Sequence, residues 1–89
     1  MKTLAHNHRE VIIAVATHGL GDDPYLTKTS EALFLSGVKL RLSIVEDKWR
    51  AIMDHKDLWF TSQGEGDTPT KAVEAGFRDM ALSIKLGGS

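Results

Sequence analysis

No cysteine occurs among the 89 residues. That one absence excludes disulfides, thiolate metal sites and a cysteine nucleophile together, and it suits a reducing compartment. Long apolar runs are missing as well. The longest, residues 11–16, is far too short to span a bilayer, and no apolar stretch of leader length precedes Arg9-Glu10. The expected location is the cytoplasm, with no membrane partner. An excess of one charge is also lacking. Eleven Lys and Arg face 12 Asp and Glu, a net charge of −1, so nucleic acid would be held only by a local patch. Internal repeats, low-complexity tracts and Pro- or Ser-rich linkers are absent, which leaves one domain over residues 1–89. Residues 1–6 and 87–89 are expected to be loosely held tails. A chain this short has room for one modest core, so a homodimer or a partner would add to its stability.

What is present is a sheet pattern. Residues 38–45 alternate apolar and polar side chains, as a strand with one buried face does. A two-residue turn at Glu46-Asp47 then sets Ile44 opposite Trp49, Leu42 opposite Ala51 and Leu40 opposite Met53. A second tight turn at His55-Lys56 would set Met53 opposite Leu58 and Ala51 opposite Phe60. Both registers gather apolar residues on one face, and a slip of one residue would scatter them. The expectation is a three-stranded antiparallel meander.

After it, Gly64-Glu65-Gly66-Asp67 reads as a turn, Thr68 as an N-cap and Pro69 as the first residue of a helix. Val73, Phe77, Met80 and Ile84, with Ala72 and Gly76 beside them, form one apolar stripe on that helix. The stripe should pack on Leu40, Leu42, Trp49, Met53 and Phe60. Upstream, Asp23-Pro24 opens a helix that Gly37-Val38 closes. Residues 10–17 are rich in β-branched side chains, which favours a strand. Asn7 with Glu10 resembles a capping box, however, and His18-Gly19-Leu20 resembles a helix stop. We read the segment as helix, giving an α+β fold in the order α-α-β-β-β-α.

Trp49, Gly64, Gly66, Thr68, Pro69, Ala72, Ala75 and Ala81 carry a resemblance, over about the C-terminal half, to small bacteriophage and prophage proteins of the phage ABA-sandwich group. The resemblance implies a phage-encoded accessory protein, non-enzymatic, that binds and modulates or inhibits a host macromolecule such as a host defence complex, and acts in the host cytoplasm. The α-β-β-β-α run also resembles the double-stranded RNA-binding domain. That family places a lysine pair at the start of its last helix, whereas Thr68-Pro69-Thr70-Lys71 offers one lysine behind Glu65 and Asp67. The shape carries over better than the binding.

The candidate site is the outer face of the sheet, where the expected register gathers Lys39, Arg41, Ser43, Arg50, Ile52, Trp59 and Thr61. Of these, Trp59, Arg41, Arg50, Lys39 and Ile52 are the binding residues we single out. Cations around an aromatic ring suit single-stranded nucleic acid, whereas an exposed patch of Trp59 and Ile52 suits a protein partner or a second copy; a host protein is the leading reading and nucleic acid the alternative. The competing arrangement has the first two helices cover this face, with Ile52 and Trp59 as core. His6, His8 and Glu10 offer too few ligands for a metal. In the loop 17–24, His18 would be a base oriented by Asp22 or Asp23, or Gly19 and Asp23 simply cap two helices. Six acids, Asp22, Asp23, Glu46, Asp47, Glu65 and Asp67, would mimic nucleic-acid phosphates towards a basic protein if the fold brought their loops together. No nucleophile–base pair, ligand cluster or phosphate loop is evident, so neither catalysis nor a cofactor is expected.

Overall fold

The computed structural model describes residues 4–88; residues 1–3 and 89 of the expected tails lie outside the described residues. The order is α1 (His6–His18), α2 (Thr27–Ser36), β1 (Lys39–Val45), β2 (Lys48–Asp54), β3 (Ser62–Gly66) and α3 (Pro69–Ser83), with a π-helical turn at Ile84–Gly88. The three strands form one antiparallel meander in the order β1-β2-β3. Among the described residues no helix is long and apolar enough to cross a membrane.

Residues 10–17 are helical, inside α1. Asn7 does not cap that helix. Leu4 is buried in the core and the chain turns helical at His6, so Asn7 falls inside the first turn, where Arg9 N already donates to Ala5 O (3.0 Å). Gly19 closes α1 with φ at +74°, and the next amide, Leu20 N, donates to Glu74 Oε2 on α3 (2.9 Å).

The second helix starts later than Asp23-Pro24 suggested. Residues 23–26 make a turn, Leu26 takes a left-handed conformation, and α2 begins at Thr27. Asp23 still caps it, from a distance. Its carboxylate accepts from Lys28 N (3.2 Å), Thr29 N (2.7 Å) and Thr29 Oγ1 (2.7 Å). These bonds, the Thr29 hydroxyl first, hold its pKa below the ordinary 3.8. Gly37 ends α2 in the left-handed region, as expected.

The first hairpin has the expected register: Ile44 pairs with Trp49, Leu42 with Ala51 and Leu40 with Met53. Its turn residues Glu46 and Asp47 both have positive φ, 52° and 66°, which a type I′ turn demands. The second pairing differs by four residues. Met53 pairs with Ser62 and Ala51 with Gly64, not with Leu58 and Phe60. Residues 55–61 are instead a packed connection, in which Leu58 N donates to His55 O (3.0 Å), Leu58 and His55 are buried, and Phe60 packs against the core.

That shift changes what the glycines do. Gly64 and Gly66 lie within β3, not in a turn. A Cβ on Gly64 would sit 2.5 Å from Ala72 O and closer still to the backbone N of Gly76. The glycines let α3 lie directly against β3. Thr68 caps α3 by accepting from Lys71 N (3.1 Å), with Pro69 as its first residue. Ala72, Val73, Gly76, Phe77, Met80 and Ile84 are all buried.

The core is one cluster in which α3 is central. The helix packs chiefly on β3, then on α1 and β2, while α1 packs on α3 and α2. β1 has its substantial contact with β2 alone. Leu42, expected beneath the stripe, is therefore 38% exposed, because α3 follows the glycine track along β3 and does not reach the opposite edge.

Candidate functional site on the open sheet

Side chains alternate across a strand, so the face of the sheet away from α3 carries Lys39, Arg41 and Ser43 from β1, Lys48, Arg50, Ile52 and Asp54 from β2, and Gln63 and Glu65 from β3. None of these residues is buried. Neither α1 nor α2 makes a substantial contact with any strand. The arrangement in which the first two helices cover this face is thus not the one adopted. The helices share their apolar surface with each other and with α3 on the far side.

Four of the five residues singled out lie together here. Ile52 is at the centre, paired with Arg41 on one side and Gln63 on the other. Arg41 Nη2 lies 3.9 Å from Asp54 Oδ2, and Arg50 Nη2 lies 3.7 Å from Glu65 Oε1 across the β2–β3 pair. Lys39 pairs with Asp54 in the ladder. Two of the four cations on this face, Arg41 and Arg50, thus have an acid within 4 Å, and the pattern is mixed, not uniformly basic.

Trp59 is not on this face. It belongs to the 55–61 connection, 80% exposed, its ring edge-on to Phe60 at 5.5 Å between centroids. The strand that would have carried it starts at Ser62, because Leu58 and Phe60 fill the end of the core and not the sheet. Thr61 Oγ1 donates to Asp54 Oδ1 (2.8 Å), which ties the loop carrying Trp59 to the rim of the outer face.

Two buried polar clusters join residues far apart in the chain. His55, 3% exposed, meets His8 of α1 with Nε2 3.0 Å from Nδ1. Asp57 N donates to His55 Nδ1 (3.0 Å), which fixes the tautomer: the hydrogen sits on Nε2 and is donated to His8. Burial lowers the pKa of His55 from its ordinary 6.5, and neighbouring His8 lowers it further. The partners are 47 residues apart, so no spacing rule finds them. The second cluster joins Asp23 and Thr29 to Thr70 Oγ1, 3.1 Å from Thr29 Oγ1. It underlies a cavity of about 580 Å³ between the starts of α2 and α3, edged by Asp22, Pro24, Thr68 and Lys71. The Asp23, Thr29 and Thr70 side chains bond one another, and among the described residues no buried unpaired polar atom belongs to the cavity lining.

The remaining candidates separate. His6 pairs with Glu10 in the open (2.8 Å) while His8 turns inward to His55. Among the described residues no group of three or more His, Asp or Glu is placed to hold a metal. The Asp23 carboxylate is engaged by Thr29 and Lys28, not by His18. Of the six acids, Asp23 is buried and Glu65 faces Arg50. Glu46 and Asp47 share one end of the sheet with Asp67, since Trp49 pairs with Gly66. Comparison with protein-family models, with curated proteins and with solved structures finds no match to this chain.

Proposed function

We propose that this chain is a non-enzymatic binding protein, of the phage accessory kind that its C-terminal half resembles, and that it modulates a host protein through the outer face of its sheet. One observation carries this reading: among the described residues no helix packs on one whole face of the sheet, where Ile52 stands among Arg41, Arg50, Asp54 and Gln63 with Lys39 on the diagonal. Layered domains ordinarily cover apolar sheet surface, so an uncovered one with an apolar centre and a charged rim has the anatomy of an interface. The pairing of Arg41 with Asp54 and of Arg50 with Glu65 favours a protein partner. A polyanion would meet both carboxylates as well as the cations. Trp59, at the rim, adds an aromatic anchor of the sort that dominates binding energy.

Capture from a host-cell lysate tests the reading when wild type is compared with Ile52→Asp and with Arg41→Glu/Arg50→Glu. A partner lost from both variants, while their folds stay intact, supports it. Equal capture by all three proteins refutes it. The nucleic-acid alternative is tested by fluorescence anisotropy on single- and double-stranded oligonucleotides at low salt. Tight binding with a steep salt slope, abolished in the double Arg variant, would replace the protein reading with the nucleic-acid one.

A further inference from the structure

We propose that β1 is a homodimerisation strand, pairing antiparallel with β1 of a second copy about a two-fold axis at Leu42. The inference goes beyond the binding role and stands independently of it.

β1 is the edge of the sheet. It spans seven residues, Lys39–Val45, with no proline, and among the described residues no backbone group pairs with its outward side. Edges are usually blunted by bulges, prolines, charged side chains or a covering element; of these β1 has only Lys39 and Arg41, which lie on the outer face and leave the α3 side of the edge apolar. Here α3 tracks β3 and leaves the β1 end of its own face open, so Leu42 and Ile44 are 38% and 62% exposed. Leu40, half-buried, continues the same row.

The sequence of the strand selects the occupant. Antiparallel pairing centred on Leu42 sets Leu42 against itself and Leu40 against Ile44 of the second copy, so every facing pair on the α3 side is apolar. On the outer side it sets Arg41 against Ser43 and Lys39 against Val45. Centring on Arg41 would instead oppose two arginines, and centring on Ser43 would place Leu40 against Glu46 in the turn. The charges agree with this register. Lys39 and Arg41 occupy the first half of the strand, and Glu46-Asp47 follow its end, so antiparallel pairing brings the basic half of each copy beside the acidic turn of the other. A parallel pair would align like with like. The product is one six-stranded sheet with both α3 helices on the same side, which buries Leu42 and Ile44 and removes the exposed edge.

Sedimentation at roughly 0.1 mM, well above a micromolar Kd, tests the proposal. Wild type should run at twice the 9.8 kDa chain mass. Leu42→Lys and Leu42→Glu should each run as folded monomers with unchanged circular dichroism, and their equimolar mixture should recover the dimer. Leu42→Cys provides a second test that leaves the strand intact. In a chain without native cysteine it should give a disulfide-linked dimer on mild oxidation, whereas Glu31→Cys on α2 should not. A monomeric wild type, a dimer that persists in both charge variants, a mixture that stays monomeric, or equal cross-linking at Leu42 and Glu31 would each overturn it.

Discussion

At the scale of single residues, the sharpest constraints come from side chains that are absent or neutral. Gly64 is the first. With the carbonyl of Ala72 2.5 Å from where its Cβ would be, neither backbone can yield without separating α3 from β3. Gly64→Ala should therefore destabilise the protein by about 2–3 kcal/mol, the upper range for overpacking, as measured by urea unfolding. The second constraint is buried His55, whose two hydrogen bonds need a neutral ring. His55 donates through Nε2 and accepts through Nδ1, and a proton added at Nδ1 would displace the Asp57 amide. Because the folded-state pKa of His55 lies below 6.5, the unfolded chain binds the proton more readily. Stability from this site is complete above the unfolded value and is lost as pH falls through 6.5 towards the folded value. His8, Asp57 and Lys56 are the titratable neighbours that act on it. Melting temperature should accordingly drop between pH 7.5 and 5.5, and His55→Gln should flatten that slope while lowering stability overall. A profile that does not change in the variant would assign the pH dependence elsewhere.

At the scale of elements, the first hairpin and the last helix were legible because several signals agreed. Strict alternation in residues 38–45, a matching run after Glu46-Asp47 and a short turn leave one register. Thr68, Pro69 and a period of 3.6 do the same for α3. The third strand was not legible for a physical reason. Leu58 and Phe60 alternate as convincingly as a strand, yet they fill the end of the core, while the true strand is Ser62-Gln-Gly-Glu-Gly, which has almost no hydropathy to detect. Its selection criterion is closeness to a helix, and that is a tertiary property. Trp59 was misplaced with it. Likewise, Asp23 capping Thr29 across a turn breaks the expectation that a cap lies next to its helix. The β1–β2 turn offers a prediction at this scale. Glu46 and Asp47 hold positive φ without being glycine or asparagine, at a steric cost of roughly 1 kcal/mol or more per residue. Replacing the pair by Asn-Gly should raise stability by about 0.5–1 kcal/mol with the register unchanged, as read from denaturation midpoints. A loss of stability would mean that the acids contribute contacts outweighing the strain.

At the scale of the whole molecule, the fold is asymmetric. Three helices and the inner face of the sheet make a single core, and among the described residues that core leaves the far half of β1 and the outer face without a packed helix. The sheet pattern alone was consistent with either a covered or an open outer face; the helices decided it by packing on one another. The proposed binding role and the proposed dimer both use what this packing leaves exposed, on different surfaces. The outer face presents Ile52, Arg41 and Arg50, and the edge presents Leu42 and Ile44. In the dimer the outer faces would join into one surface with Lys39 and Arg41 near its middle, so a partner would meet a doubled site.

The most direct measurement is the affinity of the captured partner for a matched set of folded variants, titrated side by side with wild type. Ile52→Asp should weaken binding at least tenfold, about 1.4 kcal/mol or more, Arg41→Glu/Arg50→Glu should do likewise, and Glu31→Lys on the exposed side of α2 should change it little. Wild-type affinity in both outer-face variants, or a loss confined to Glu31→Lys, would contradict the claim that this protein works through its open sheet.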